Sequence, residues 1–287
     1  MSFMRKLKEP RVWERLFRER FSEPLHLNLL SLPVLLFGSV RWKIYFDLVM
    51  RQHHAYGLLN AADKARRFGL DSVSVLEFGV ANGAGLINIC RVAESVTRAT
   101  GVRFKVFGFD TGAGMPPPRD YRDHPEHYSS GDFPMQDRKR LQALMPPYAE
   151  LIIGNISQTV PGFLGRLSEV PPIGFVSIDV DYYSSAVESL HIFAGAPAHY
   201  LPTVTIYFDD IGLEEHNSWC GELAAIQDFN AAHELRKIER FNTLRSGRLF
   251  KNAPWIDHMY TLHVLDHEWR TPRETPGAPK VLANPYA

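Results

Sequence analysis

Ser72-Val73-Ser74-Val75-Leu76-Glu77-Phe78-Gly79-Val80-Ala81-Asn82-Gly83-Ala84-Gly85 is the stretch from which the fold can be read. Ser72 to Phe78 form an apolar run that predicts a buried strand, Gly79 to Gly85 a turn, and Leu86 to Thr100 a helix. A glycine-rich strand-to-helix turn lets a ligand approach the backbone closely; a tight structural turn is the plainer alternative. No Lys-Ser or Lys-Thr follows the glycines, which excludes the phosphate loop. Three residues separate Gly79 from Gly83, so the dinucleotide fingerprint is not met either. Charge says more. No Lys or Arg occurs between Ser72 and Cys90, while Glu77 stands at the strand end. A pyrophosphate is disfavoured beside that carboxylate, whereas a ligand carrying a sulfonium and an ammonium is stabilised.

Outward from this unit the alternation of strand and helix continues. Strands are predicted at Phe104 to Phe109, Glu150 to Ile153, Ile173 to Ile178 and Val204 to Phe208, with further candidates at Lys237 to Phe241 and His258 to Val264. Trp42, Phe46, Val49, Tyr56 and Leu59 recur near helical spacing, which predicts one helix from Arg41 to Phe68 with Gly69 as its stop. Ser185 and Glu188 have capping-box spacing at the start of another helix, and one more fits Trp219 to Ala232. Such an order implies an α/β fold whose mostly parallel, seven-stranded sheet is covered on both faces.

Ligands of such sheets bind at the carboxyl ends of the strands, where the strand order reverses. The residues standing there are Glu77 and Gly79, Asp110, Gly154 and Asn155, Asp179 and Asp181, and Asp209 and Asp210. That edge is strongly acidic. Asp110, one unit on from the glycine turn, can accept both hydroxyls of a ribose; capping the next turn is its alternative role.

The segments Glu77-Phe78-Gly79-Val80 with the Gly83 turn, Gly108-Phe109-Asp110-Thr111, Asp179 to Ser185 and Phe208-Asp209-Asp210 resemble the macrocin O-methyltransferase family from about Ser72 to Asn230. These are class I, S-adenosylmethionine-dependent enzymes of Rossmann-like fold that methylate sugar hydroxyls with Mg²⁺. The resemblance implies that Glu77 and Gly79 flank the methionine part of the cofactor beside the Gly83 turn. It implies further that Asp110, followed by Thr111, holds the ribose, that Asn155 and Ile156 border the adenine, and that Asp181, Asp209 and Asp210 bind the metal. Neighbouring fourth and fifth strands would place Asp181 beside Asp209-Asp210, and three clustered carboxylates need a cation to stay ionised. Oxygen-only ligands favour Mg²⁺ or Ca²⁺ over zinc; the alternative is that Asp209 and Asp210 only cap a turn. Asp179 is expected to point away from Asp181, toward the cofactor's amino acid moiety, and Asp181 to take the proton of the acceptor hydroxyl. A cephalosporin-hydroxylase-like enzyme on the same fold, a non-catalytic cofactor-binding scaffold and, more distantly, a nicotinamide dehydrogenase are the competing readings.

Thr111 to Met135 is a long Pro- and Gly-rich connection, expected to form a lid over a small-molecule or glycan acceptor through Tyr121, Arg122 and His124. A solvated loop held by its own salt bridges is the alternative. Domain limits are set at 1–70 for a helical arm and cap, 71–270 for the methyltransferase domain and 271–287 for an irregular tail. The arm is basic, with Trp13, Phe17 and Phe21 among its apolar residues, and leads into an apolar stretch, Leu25 to Val40, too short to span a bilayer. Packing on the core or in a homo-oligomer, or a peripheral membrane contact through residues 1–40, would each suit it. Lys+Arg and Asp+Glu balance at 32 each, so no global field recruits nucleic acid. Two cysteines give no disulfide framework, and a reducing, cytoplasmic setting is expected.

Overall fold

The computed structural model describes residues 19–271, 281 and 283. The arm residues Trp13 and Phe17 and nearly all of the tail after Thr271 lie outside the described residues. In chain order the elements are α1 (Leu25–Phe37), α2 (Val40–Tyr45), α3 (Gln52–Arg67), β1 (Ser72–Phe78), α4 (Ala84–Thr100) and β2 (Arg103–Asp110). There follow α5 (Arg138–Leu144), β3 (Ala149–Ile153), α6 (Ile156–Leu164), β4 (Ile173–Ile178), α7 (Tyr183–Leu190) and β5 (Tyr200–Phe208). The chain continues with α8 (Gly221–Ala232), β6 (Arg236–Arg240), α9 (Leu244–Gly247) and β7 (Met259–Val264).

The strands form one seven-stranded sheet in the order β3-β2-β1-β4-β5-β7-β6, parallel from β3 to β5, with β7 antiparallel to both neighbours. The order reverses between β1 and β4, and a crevice opens there at the carboxyl ends. Alternation along the strands feeds two cores. Val73, Val75 and Phe175 face α3 and α4, while Leu76, Phe78, Val176 and Ile178 face α6, α7 and α8. Six consecutive buried residues in β4 explain its uninterrupted apolar sequence. Gly57 of α3 lies against the Phe175 ring so closely that any Cβ would overlap it, which sets the helix tight on the sheet.

Two predicted helices differ. The single helix from Arg41 to Phe68 is two, α2 and α3, broken where Asp47 and Arg51 take left-handed backbone at φ 52° and 46°. A buried ion pair holds the break: Arg248 donates to Asp47 Oδ1 at 2.7 Å and to the carbonyls of Ile44 and Tyr45 at the helix end. The Ser185–Glu188 capping box is absent. Helix α7 starts two residues earlier, and Asp123, from a distant loop, accepts from Ser184 N at 2.8 Å and Ser184 Oγ at 2.9 Å. Glu188 pairs instead with Arg119. A carboxylate supplied by tertiary contact has replaced the local cap.

Candidate active site

A cavity of about 750 Å³ occupies the crevice at the carboxyl ends of β1, β2, β4 and β5. Of the residues expected there, Glu77, Gly79, Asp110, Thr111, Ile156, Asp179, Asp181, Asp209 and Asp210 line it. Gly83 and Asn155 do not. Gly83, at φ 82°, packs its turn on Leu141, and Asn155 caps α6 by accepting from Ser157 N at 3.0 Å.

On the β1 side, Gly79 is left-handed at φ 83°, and a Cβ on it would overlap the carbonyl oxygen of Asp179. Only glycine satisfies both the conformation and the close approach. Glu77 is 2% exposed, and its Oε2 has no hydrogen-bond partner. Burial, followed by the Asp179 charge, raises its carboxyl well above the usual range. An unpartnered carboxylate oxygen at the wall of a cavity is suited to a cationic ligand group. Asp110 accepts from Val80 N at 2.9 Å and Ala81 N at 2.7 Å through Oδ2, and from Gly112 N at 2.6 Å through Oδ1. It therefore does cap the turns around it while also facing the cavity.

Across the crevice, carboxylate oxygens of Asp179, Asp209 and Asp210 lie within 4.8 Å of one another. The expected set had Asp181 in place of Asp179; the structure brings Asp179, not Asp181, into this group. The cause is backbone register. Asp179 N donates to Phe78 O and Asp209 N to Ile178 O, each at 3.0 Å, so these two residues continue the sheet and stay abreast. Asp181 lies beyond the turn, at φ 57°, where its N–H donates to Asp210 Oδ2 at 3.0 Å and its carboxyl meets the Tyr128 hydroxyl. Asp179, expected to point away from Asp181, lies with Asp209 and Asp210 and also lines the cavity.

The electrostatics follow from packing acids under cover. Burial, then the charges of Asp209 and Asp181, push Asp179 up to about 8. Asp210 is raised well above its usual range by burial and by Glu222, and Asp181 is raised by burial. Glu222, on α8 and 0% exposed, accepts from Val180 N at 3.4 Å and Asp210 N at 3.1 Å, tying both acidic turns to one side chain. Tyr207 donates to Asp209 Oδ1 at 2.6 Å, and the His53 ring stacks on Tyr207 at 3.9 Å. Arg51 lines the same cavity and lowers the Asp179 and Glu77 carboxyls by its charge.

Sequence reasoning missed Arg51 and Glu222, and it placed Tyr128 in the acceptor loop without singling it out. Arg51 was hidden inside a helix expected to be continuous, and Glu222 lies 12 residues beyond Asp210, too far to read as one motif.

The expected lid is pinned down. Tyr121 is exposed, Arg122 pairs with Asp120 at 2.8 Å and lies 4.0 Å over the Tyr183 ring, and His124 is buried against Gly221 with Nδ1 on Glu126 at 3.1 Å. None of the three lines the cavity. The salt bridge of the alternative reading is present at Arg122, while His124 is buried rather than solvated. The cavity wall comes from the loop on either side of them, at Met115 before and at Tyr128, Asp132 and Phe133 after.

No protein-family model and no curated protein matches the sequence. Among solved structures, the chain is similar to CalS11, described as a calicheamicin methyltransferase, with 19% identity over 89% of this chain and 93% of that one and a TM-score of 0.52. An apo structure of CalS11, described as a TDP-rhamnose 3'-O-methyltransferase, superposes at a TM-score of 0.42 with 18% identity over 89% and 95% of the two chains. Cofactor-bound Rv0187 from MTB superposes at 0.41 with 16% identity over 83% and 96%. The sheet order, the helices on both faces and the similarity to CalS11 give this chain the α/β, Rossmann-like fold of the class I methyltransferases.

Proposed function

We propose that the protein is an S-adenosylmethionine-dependent, divalent-metal-assisted O-methyltransferase acting on a hydroxyl of a sugar or other vicinal-diol acceptor. The observation that carries this reading is one cavity holding two complementary surfaces. One is a glycine turn with an unpartnered buried carboxylate, and the other is a cluster of three convergent carboxylates.

The residues fit both groups. Glu77 would face the cationic end of the cofactor, Gly79 admits it against the backbone, and Thr111 and Ile156 border its nucleoside. Asp179, Asp209 and Asp210 offer only hard oxygen ligands, suited to Mg²⁺ or Ca²⁺. When bound, the cofactor supplies an electrophilic methyl group and the ion a Lewis acid that lowers the pKa of a neighbouring hydroxyl. Glu222 fixes the spacing of the acidic turns. Tyr207 orients Asp209. Asp181, raised by burial and close to the Tyr128 hydroxyl, would accept the acceptor's proton at its carboxylate. Met115, Tyr128 and Phe133 line the cavity and would border the acceptor, and much of the acceleration would come from positioning.

Titration calorimetry with S-adenosylmethionine, S-adenosylhomocysteine and NAD⁺, with and without Mg²⁺, tests the reading. Binding of the first two and not of NAD⁺ supports it and justifies an acceptor screen among glycosides and catechols. Binding of neither methionine-derived ligand would reject it in favour of a scaffold role.

A further inference from the structure

Helix α1 is apolar nearly all round and stands out from the body of the protein. Leu25 is 71% exposed, Leu36 70% and Phe37 86%, with Leu29, Leu32 and Leu35 also exposed. Its inner side is narrow: Ser31 is buried, Arg20 Nη1 reaches Ser31 Oγ at 3.3 Å, and Asn28 Nδ2 donates to Arg20 O at 2.7 Å. At about 100° per residue, the side chains from Leu35 round to Leu30 cover roughly 220° of the circumference, apolar except for His26 and for Asn28 near one edge.

We infer that α1 is a membrane-surface anchor that inserts into one leaflet of an anionic lipid bilayer. The breadth of the apolar surface selects this occupant. A single helix-on-surface contact with a second copy of the chain covers a stripe of about 100°, the width of an ordinary core-facing helix side, and leaves the rest in water. A lipid leaflet covers the whole arc at once. Charge agrees. No Lys, Arg, Asp or Glu occurs from Pro24 to Val40, and the stretch is bracketed by cations. Residues 1–18 carry Arg5, Lys6, Lys8, Arg11, Arg15 and Arg18 against Glu9 and Glu14; on the other side Lys43 follows, Arg41 being paired with Asp63. Cations flanking an apolar helix are attracted to acidic headgroups while the helix enters the acyl boundary.

Length sets the mode of contact. Thirteen residues make a helix about 20 Å long, short of the roughly 30 Å hydrocarbon core, and no helix among the described residues is long and apolar enough to cross a membrane. The helix therefore lies in one leaflet. The inference is independent of the methyltransferase reading, because it needs neither cofactor nor acceptor.

The test is co-sedimentation of the full chain with vesicles of phosphatidylcholine alone and of phosphatidylcholine with phosphatidylglycerol, at low and high salt. Comparison is with L32E/L36E, whose fold is checked by circular dichroism and thermal unfolding. The expected result is pelleting with the anionic vesicles, weakened by salt and reduced at least about tenfold in a folded L32E/L36E protein. A leucine-to-alanine pair, L32A/L36A, gives a smaller loss in the same direction and replaces the charged variant should that one fail to fold. Absence of wild-type pelleting with anionic vesicles overturns the inference. So does pelleting unchanged in a folded variant. Sedimentation velocity supplies the other reading: a concentration-dependent dimer that L32E/L36E dissociates, with no vesicle binding, would assign α1 to a second copy.

Discussion

Gly79 and Asp179 touch backbone to backbone across the junction of β1 and β4, with no room between them for a methyl group. The contact joins the two halves of the site, because Gly79 opens the turn on one wall and Asp179 begins the acidic cluster on the other. Gly79→Ala should therefore do two things. It should destabilise the fold by about 2 kcal/mol or more, from left-handed strain plus the clash. It should also weaken S-adenosylmethionine and Mg²⁺ binding together. Urea unfolding and calorimetry check both, and loss of one affinity alone would show that the contact does not couple the walls.

The three convergent carboxylates make a prediction that separates Asp179 from Asp181. Asp179→Asn and Asp209→Asn should each weaken Mg²⁺ binding and reduce turnover at least about a hundredfold. Cofactor affinity in Asp209→Asn should stay near that of the wild type. Asp181→Asn should keep the metal and lower kcat, with the loss concentrated where proton removal limits the rate. Calorimetry with Mg²⁺ and steady-state kinetics on the three variants distinguish these outcomes. Equal metal affinity in all three would remove the cluster from the mechanism.

How far the site was legible follows from these residues. The strand ends were readable because buried parallel strands are nearly continuous apolar runs, and Ser72–Phe78 and Ile173–Ile178 have the predicted bounds. A strand end names the acids that stand there but not which way they turn. Exchanging Asp181 for Asp179 needed the hydrogen bonds of Asp179 N and Asp209 N, which depend on the pairing of β1, β4 and β5. The broken helix and the missing capping box share one cause. Arg248 and Asp123 act from 201 and 61 residues away, and local periodicity carries no trace of either.

Protonation of the acidic cluster gives the metal-free protein a particular pH dependence. Asp179 is raised from 3.8 to about 8, first by burial and then by Asp209 and Asp181. Its folded form holds a proton that the unfolded chain has released, so its contribution to stability is complete below about pH 4 and is lost as pH rises toward 8. Thermal unfolding in chelator should show stability falling across that window. Mg²⁺ should raise Tm more at pH 8 than at pH 5.5, since it replaces the protons. An equal gain at both values would place its binding elsewhere.

Lys64 works in the opposite sense. Its ammonium lies under the sheet, donating to Thr203 O at 3.1 Å and Thr205 Oγ1 at 3.3 Å, and burial lowers it from 10.5 to about 8. Between those values the unfolded chain is protonated and the folded chain is not, so folding gains stability as pH rises from 8 to 10.5. Lys64→Met removes this slope. The difference in unfolding free energy between wild type and variant should therefore move in favour of the wild type over that window. A difference independent of pH would mean that the amine is solvated in the folded protein.

Asp123 offers the sharpest test of how the long loop is held. Its carboxylate is 1% exposed and accepts three hydrogen bonds, from Ser184 N, Ser184 Oγ and Arg119 N, so it both caps α7 and fastens the loop to it. Asp123→Ala leaves the Ser184 amide without its acceptor and should cost about 2–3 kcal/mol. The loop would then detach from its anchor before the sheet unfolds, because the capped helix start and the loop share that one group. Limited proteolysis should cut within residues 112–134 faster in the variant at temperatures well below its Tm. The acceptor KM should rise while cofactor affinity is kept, since Tyr128 and Phe133 reach the cavity from the same loop and Gly79 and Glu77 do not. Asp123→Asn retains an acceptor oxygen for Ser184 N and should recover roughly half of the stability. If the alanine variant resists proteolysis as the wild type does, the loop is held by Arg119–Glu188 and Arg122–Tyr183 instead.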